Sequence, residues 1–325
     1  VSADSTINSV TIGKGANSRS GNTAVGESAL DAAVTGTNNI AIGKDALTTN
    51  TSGHSNTGVG HQALEQNIGG DYNTAIGNQS LDDNTGGDHN TAVGSDALGG
   101  NTTGDNNVAV GSLALDANTT ASNNTAVGYA ALGANVTGTQ NTAVGAFAAD
   151  VNTADYITAI GVNALGSNTT GSKNTAVGVQ ALYQNTTASN NTSIGYQSLN
   201  ANTTGADNTA IGVDALLVNT TGEENVAIGK QALDANTDGD RNIAIGKYSL
   251  SGNTTGIGNV AVGDQALYAN TTASANTAVG RSALRENTTG TYNVAVGQYA
   301  LDANTTANEN TAIGYEALTA NTTGA

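Results

Sequence analysis

A short stretch ending in Val-Gly or Ile-Gly recurs every 17 residues along almost the whole of this 325-residue chain. The glycines that end these stretches, called anchor glycines below, are Gly26, Gly43, Gly60, Gly77, Gly94, Gly111, Gly128, Gly145, Gly161, Gly178, Gly195, Gly212, Gly229, Gly246, Gly263, Gly280, Gly297 and Gly314. Only two intervals differ, because 13 residues separate Gly13 from Gly26 and 16 separate Gly145 from Gly161. A short fixed period predicts a repeat architecture, in which each repeat packs on its neighbours. The chain is therefore expected to form a rod and not a globule with a pocket.

The repeat unit has three recurring parts, all present between Asn107 and Asn123. They are Asn-[Thr/Val]-Ala-[Val/Ile]-Gly, then Ala-Leu three and four residues after the glycine, then Asn-Thr-Thr-Gly or a close variant. A helix-turn would also fit this length, but the density of Gly and Asn opposes helix and no apolar stripe has the helical period. The β-branched stretch favours strand, and Asn and Gly tolerate the left-handed backbone of tight corners.

One coil per repeat predicts an all-β fold, a β-solenoid with about 17 residues per coil. At the usual strand spacing of about 4.8 Å, nineteen glycine-anchored units would form a rod of about 90 Å. Residues 1–21 are expected to hold an N-terminal strand and a short first coil, and residues 22–325 the repeat array with an irregular unit at 146–161. Residues expected to build the coils include the anchors Gly94, Gly111 and Gly128 and the core residues Leu98, Leu115 and Leu132.

Stacking turns each position of the repeat into a column, and two columns are asparagine. One precedes each anchor glycine by four residues, as Asn107 and Asn124 do, and the other precedes it by ten, as Asn101 and Asn118 do. Stacked Asn side chains can hydrogen-bond along the axis of a β stack. A second interpretation, compatible with the first, is that these asparagines are corner residues, chosen for the backbone they tolerate.

The strand sequences favour self-association. In Thr91-Ala92-Val93, Thr and Val point to one side and Ala to the other, and in Val108-Ala109-Val110 neither side is polar. A strand that is apolar on both faces needs cover on both faces. One buried Leu and one buried Val contribute about 3–5 kcal/mol per coil, against an ordering entropy of about 1 kcal/mol or more per residue. We therefore expect a homo-oligomer with the Asn-Thr-Ala-Val-Gly strands inside.

The stretches Asn8-Ser-Val-Thr-Ile-Gly13 and Asn22-Thr-Ala-Val-Gly26 resemble the head repeat of YadA-type trimeric autotransporter adhesins. The later units resemble repeats of phage and bacterial tail-fibre proteins, with Asn-Thr-Ala-Ile-Gly, Ala-Leu and Asn-Thr-Thr-Gly in the same order. The resemblance covers nearly the whole chain and implies a homotrimer of left-handed parallel β-rolls in an extracellular fibre. The coiled-coil stalk and membrane anchor of the adhesins, and the chaperone domain that often ends tail-fibre proteins, have no counterpart in this sequence.

The composition limits the classes of partner that are expected. The formal net charge is −17 with only 9 Lys and Arg residues, so no nucleic-acid partner is expected. No run of 18 apolar residues is present, so no membrane insertion is expected. The chain has no Cys, so disulfides do not stabilise it.

One acidic column suggests a cation site. The position six residues before the anchor glycine is Asp71, Asp88 and Asp105 in three consecutive coils. Stacked carboxylates repel one another, and a hard cation such as Ca²⁺ would relieve that repulsion. Elsewhere the same column holds residues such as Ser122 and Ile257, as a solvated corner would. No other metal or cofactor is expected.

Other candidates are few. Tyr129, Tyr196 and Tyr315 each directly follow an anchor glycine and could contact a receptor or a host glycan, although they lie several coils apart. The three histidines, His54, His61 and His89, occupy variable polar positions typical of a surface.

The irregular unit replaces the usual Leu by Ala149 and the usual Asn by Ile157. A void left by the lost Leu would be costly, and the nearby Phe147 is expected to fill it. The alternative to this local fault is a binding site at the irregular unit.

These observations predict a non-enzymatic role. The leading hypothesis is a structural and adhesive extracellular fibre segment, on a virion or a cell surface, that acts as a stiff rod for attachment. One alternative is an ice-binding β-solenoid, although neighbouring Thr residues in a strand alternate sides, so only one of each Thr-Thr pair is expected to face outward. Another alternative is a glycan-degrading tailspike, for which the Asp71 column would supply the acids.

Overall fold

The computed structural model describes residues 4–8, 10–32 and 35–324. These residues form short strands and turns, with one 3₁₀ turn at Ala16–Ser18. The chain divides into two compact units, Val1–Ala159 and Ile160–Ala325. Each unit is a parallel β-solenoid with one strand per coil and about 17 residues per coil, so the predicted all-β solenoid is confirmed.

The first unit holds ten complete strands. They are β1 Ser5–Ile7, β2 Val10–Gly13, β3 Thr23–Gly26, β4 Ile40–Ile42, β5 Thr57–Val59, β6 Thr74–Ile76, β7 Thr91–Val93, β8 Val108–Val110, β9 Thr125–Val127 and β10 Thr142–Val144. From β3 to β10 each strand pairs in parallel with the next, and residues one repeat apart face each other, as Ala92 and Ala109 do. Strand β11, Thr158–Ile160, contains the boundary between the units.

The second unit repeats this arrangement. Its strands are β12 Thr175–Val177, β13 Thr192–Ile194, β14 Thr209–Ile211, β15 Val226–Ile228, β16 Ile243–Ile245, β17 Val260–Val262, β18 Thr277–Val279, β19 Val294–Val296 and β20 Thr311–Ile313. All eight successive pairings from β12 to β20 are parallel and in the same register.

The N-terminal segment differs from the short first coil expected there. Strand β2 pairs antiparallel with both β1 and β3, so the chain doubles back before the first parallel pairing. The interval from Gly13 to Gly26 lacks the Ala-Leu pair and the Asn-Thr-Thr corner that complete a coil elsewhere. It instead turns through Ala16–Ser18, flanked by Gly15 and Gly21, whose φ angles are 69° and 75°.

The core of each coil is small and mixed. The strand Ala points inward, and Ala92, Ala97 and Leu98 are all 0% exposed. The predicted core residues Leu115 and Leu132 are also 0% exposed. The strand Val does not join this core, because Val93 is half-buried and Val110 is exposed. Because the strand Val lies outside the core, the stability of each coil depends more on polar contacts than expected from one buried Leu and one buried Val.

Both asparagine columns lie inside the solenoid as bonded networks. In the column four residues before the anchor, the Asn107 backbone N–H donates to Asn90 Oδ1 at 2.9 Å, and Asn107 Nδ2 donates to the Ala121 carbonyl at 2.9 Å. Asn124 continues this column, since its N–H donates to Asn107 Oδ1 at 3.0 Å.

In the column ten residues before the anchor, the amides bond directly. Asn118 Nδ2 donates to Asn101 Oδ1 at 2.9 Å and to the Ala121 carbonyl at 3.0 Å. The described members of both columns have ordinary negative φ angles. The predicted bonding along the stack is confirmed, and the corner alternative is wrong for these positions.

The left-handed residues are elsewhere. They lie two and four residues after the anchor and five residues before it, as in Asp96 (φ 55°), Leu98 (φ 55°) and Asn106 (φ 58°). A buried Leu in this conformation is unusual, because its Cβ meets the following carbonyl. Backbone bonds to the neighbouring coil hold it there, since the Leu98 N–H donates to the Ala114 carbonyl at 2.8 Å.

The anchor glycine is required by close stacking. Gly111 and Gly128 have φ angles of 132° and 137°, outside the range that other residues adopt readily. A Cβ on Gly94 would lie 2.6 Å from the Gly111 carbonyl carbon, and one on Gly128 would lie 2.6 Å from that of Gly145. The backbones of successive coils touch at this point and leave no room for a side chain.

The irregular coil corrects one prediction. Phe147 does not fill the core, because its side chain is 40% exposed. Ala149 takes the Leu position at 0% exposure and φ 49°, and the large buried side chain of this coil is Ile157, which is 1% exposed. This coil is one residue shorter than the regular coils because it has Asn-Thr-Ala where most of them have Asn-Thr-Thr followed by Gly or Ala, a segment termed the Thr-Thr corner. Asn152 Nδ2 bonds the Ala154 carbonyl two residues ahead, where other coils span three.

Candidate functional site: the exterior columns of the coils

The outer face of the strands is an apolar surface built once per coil. From β3 to β20 the central strand residue, which is Ala except for Gly58 and Ser193, faces the core, and the residues one and three before the anchor face outward. In β16 the central Ala244 is 0% exposed, whereas Ile243 and Ile245 are each 37% exposed. From β3 to β20 these two outward-facing positions hold only Thr, Val and Ile. This surface is termed the outer strand face.

The acidic column has a backbone role. The Asp71 N–H donates to Asp88 Oδ1 at 2.7 Å, and the Asp88 N–H donates to Asp105 Oδ1 at 2.8 Å. Each side chain thus accepts a bond from the N–H of the coil before it. In the second unit the Ser172 N–H donates to Ser189 Oγ at 3.0 Å in the same way.

That shared contact accounts for the Asp, Ser and Asn residues of the column, which all carry an acceptor on a short side chain, whereas Ala206 and Ile257 cannot accept such a bond. Within the described parts of the chain, no group of three or more His, Asp or Glu side chains has the arrangement of a metal site. One carboxylate oxygen of each Asp is bound by backbone, which leaves the calcium hypothesis without a geometric argument.

The three candidate tyrosines lie at the surface but not together. Tyr129 is 49% exposed, and its ring meets Phe147 edge-on with centroids 5.2 Å apart. Tyr196 and Tyr315, in the second unit, are 50% and 67% exposed. A hydrogen bond to the Glu316 carboxylate, with that charge, raises the pKa of Tyr315 above its ordinary value.

The histidines are engaged in local contacts. His54 Nδ1 lies 3.1 Å from the Thr37 backbone nitrogen, and His89 stacks on Tyr72 with ring centroids 4.9 Å apart. Both contacts join neighbouring coils on the exterior, as the sequence predicted for surface residues.

A column that the sequence analysis missed holds the carboxyl groups with perturbed pKa values. Five residues after the anchor, Asp82, Asp116 and Asp150 alternate with Gly99 and Gly133. A Cβ on Gly99 would lie 3.2 Å from Asp116 Oδ1, and one on Gly133 would lie 2.8 Å from Asp150 Oδ1. Asp116 and Asp150 therefore each fold back over a glycine of the coil before, whereas Asp82 has Glu65 at that position. The sequence signal that could have predicted this column is the alternation of Asp and Gly, in which Asp recurs at twice the repeat length.

Burial is the main cause of these pKa shifts. It raises the pKa of Asp82 to about 6, with smaller contributions from the charges of Glu65 and Asp83. Burial also raises the pKa values of Asp116 and Asp150. Asp82 Oδ1 is buried without a hydrogen-bond partner, so a proton there is favoured as the pH falls.

The Thr-Thr corner corrects the expectation that only one of each pair faces outward. In the second unit, Thr203 is half-buried and Thr204 is exposed, and the inward positions beside them are Asn202 and Gly205. Thr203 Oγ1 donates to the Thr220 carbonyl at 3.0 Å, which fixes its orientation. The chain bends at this corner instead of continuing as a strand, so the alternation rule does not apply.

No helix among the described residues has the length and apolarity to cross a bilayer. No protein-family model matches the chain. A search of curated proteins also finds no match.

Proposed function

We propose that this chain is a structural and adhesive fibre segment, which acts as a stiff element for surface or host attachment outside the cell, on a virion or a cell envelope. The observation that carries the proposal is the pairing of a bonded solenoid interior with an outer strand face of Thr, Val and Ile in every coil. The use of the repeated positions for backbone and packing contacts supports a structural role.

The outer strand face supports assembly of several copies. Val110, Ile194 and Val279 are 36%, 38% and 37% exposed, and each lies on the strand side that the core does not cover. Burial of apolar surface contributes about 25 cal/mol per Å², so repetition over many coils makes association along this face favourable. The resemblance to trimeric adhesin heads and tail fibres suggests three copies and a left-handed coil, and both are part of the proposal.

Sedimentation equilibrium of the purified chain, with and without EDTA, tests this proposal. A mass of three chains that is unchanged by EDTA is expected. A monomer would contradict assembly through the outer strand face, and a trimer that dissociates in EDTA would make Asp71, Asp88 and Asp105 a metal site after all.

A matched pair of variants locates the contact. Val279→Lys adds a charge to the outer strand face, and Ala275→Lys adds the same charge four residues earlier, where Lys173 occupies the equivalent position in another coil. Both positions are exposed, so neither substitution disturbs the core. Val279→Lys should weaken assembly and Ala275→Lys should not.

One observation favours a second candidate, an ice-binding solenoid. Neither residue of the Thr-Thr corner faces the core, and in the second unit Asp238 alone interrupts the two columns between Thr169 and Thr323. Regular hydroxyl columns can order water at a surface. Thermal hysteresis that Thr204→Tyr abolishes would favour this candidate, and its absence would remove it. No contact favours a glycan-degrading tailspike, since the acids of the Asp71 column bind backbone.

A further inference from the structure

The column directly after the anchor glycine changes character within the second unit. Four consecutive coils carry Val162, Val179, Tyr196 and Val213 there, and the next four carry Lys230, Lys247, Asp264 and Arg281. The apolar side chains are 44%, 43%, 50% and 42% exposed, in chain order. Large apolar groups therefore project from this column in four successive coils and from none of the next four.

The four residues form one continuous row. The Gln180 N–H donates to the Val162 carbonyl at 3.0 Å, the Gln197 N–H to the Val179 carbonyl at 3.1 Å, and the Asp214 N–H to the Tyr196 carbonyl at 3.0 Å. These bonds place each residue directly beside its equivalent in the next coil. On the other side of the anchor glycine, Ile160 and Ile194 of the outer strand face are 39% and 38% exposed. The row of Val162, Val179, Tyr196 and Val213 together with Ile160, Val177, Ile194 and Ile211 is termed the apolar corner.

Charge is scarce around the apolar corner. Between Asp155 and Asp207 the sequence contains a single charged residue, Lys173. Lys173 lies five residues before its anchor glycine, outside the column of the row. The residues next to the row are Asn163, Gln180, Gln197 and Asp214, of which only the last is charged. The cores of protein interfaces are likewise depleted of charge and contain aromatic side chains.

We propose that the apolar corner is the place where a second copy of this chain docks. The inference rests on the proposed self-association and specifies which part of the outer strand face initiates it. Two copies of a chain with net charge −17 repel each other at most approaches. At the apolar corner Asp214 is the one charged residue directly beside the row, so few like charges come into contact.

The repeat favours a copy of the same chain over another partner. When two identical solenoids lie parallel and in register, each coil of one lies level with the same coil of the other, so the coils of Val179 and Tyr196 meet their own copies. In the next four coils the same arrangement would bring Lys230, Lys247 and Arg281 level with their own equivalents, and like charges at an interface disfavour association. Contact is therefore expected to begin at the apolar corner and not at the charged coils.

Sedimentation equilibrium of the full chain tests the assignment with two matched variants. Val179→Asp and Gln298→Asp each place a carboxylate directly after an anchor glycine of the second unit, at an exposed position. Val179→Asp should raise the dissociation constant of the assembly more than ten-fold, and Gln298→Asp should change it less than two-fold. Tyr196→Asp provides a second variant within the apolar corner, and circular dichroism of each variant reports its fold.

The outcomes separate this inference from the proposed function. Assembly of Val179→Asp and Tyr196→Asp at wild-type strength, or equal weakening by Gln298→Asp, would overturn the apolar corner while leaving self-association intact. A monomeric wild type would overturn both. If that monomer bound neutral glycans in a Tyr196-dependent manner, the occupant would be a glycan and not a second copy.

Discussion

Replacing Asn124 by Ala should destabilise the first unit more than the loss of any exposed side chain. Asn124 is 0% exposed and bridges three coils. Its Nδ2 donates to the Gly138 carbonyl at 2.9 Å, and its Oδ1 accepts the Asn141 backbone N–H at 3.0 Å. The substitution would leave the Asn141 N–H buried without a partner, whereas the Gly138 carbonyl would keep its bond from Asn135 Nδ2 at 2.9 Å.

The magnitude follows from the N–H that loses its partner. A buried donor or acceptor that loses its partner costs about 1–3 kcal/mol, so Asn124→Ala should cost about 1–3 kcal/mol. The neighbouring Asn123 is exposed and has φ 63°, and Ala275 holds the equivalent position in another coil with φ 58°. Asn123→Ala should therefore cost less than about 1 kcal/mol.

Amide hydrogen exchange gives a local measurement, which suits a repeat protein whose coils can open separately. Because about 1.4 kcal/mol is a factor of ten, Asn124→Ala should speed exchange at Asn141 by about five-fold or more. The guanidinium concentration at the midpoint of unfolding should also be lower for Asn124→Ala than for the wild type. Equal effects of Asn124→Ala and Asn123→Ala, or a cost below about 1 kcal/mol for the buried residue, would refute the idea that this column holds the coils together.

Three further predictions concern glycine and carboxyl positions. Gly128→Ala should cost about 3 kcal/mol or more in chemical unfolding, since its Cβ would meet the next backbone at 2.6 Å, whereas Gly86→Ala, with nothing within 4 Å, should change stability by less than about 0.5 kcal/mol. Asp82→Asn should raise the denaturant midpoint of unfolding at pH 7. Burial raises the pKa of Asp82 in the folded state from 3.8 to about 6, so the wild-type protein loses stability as the pH rises and Asp82 ionises. The gain should shrink from pH 6 to pH 4, and a gain independent of pH would contradict the assignment. Asp88→Asn should leave the melting temperature within about 2 °C of wild type, because the amide oxygen still accepts the Asp71 N–H, and calcium should not shift either protein. A calcium-dependent increase in wild type alone would restore the cation hypothesis.

The fold was accessible from the sequence because every repeat carries the same information. The 17-residue period, the β-branched stretch and the inward Ala and Leu all lead to a parallel solenoid, and the structure has one. The N-terminal segment was not accessible in the same way. It contains the strand motif without the corner residues that complete a coil. The strand motif alone does not distinguish a parallel pairing from the antiparallel pairing that β2 makes with β3.

The details of each coil depended on contacts that propensity does not describe. Propensity assigns left-handed corners to Asn and Gly, but Leu98 takes that conformation because its N–H is bonded to the next coil. Phe147 was expected inside because of its size, yet Ile157 is the buried residue. The pKa of Asp82 is likewise raised mainly by burial, with a smaller contribution from the charge of Glu65 in the neighbouring coil, and neither can be inferred from one repeat alone.

The coil with the shortened corner shows how such a protein can change length during evolution. Removing one residue beside Thr153 shifts the acceptor of Asn152 by a single position and preserves its bond to Ala154. A deletion inside a strand would instead reverse which side chains face the core. Duplication or loss of a whole coil would keep every interior bond type. Insertions and deletions should therefore accumulate at the Thr-Thr corner or in steps of 17 residues, so related chains can differ greatly in length while the chemistry of each coil is preserved.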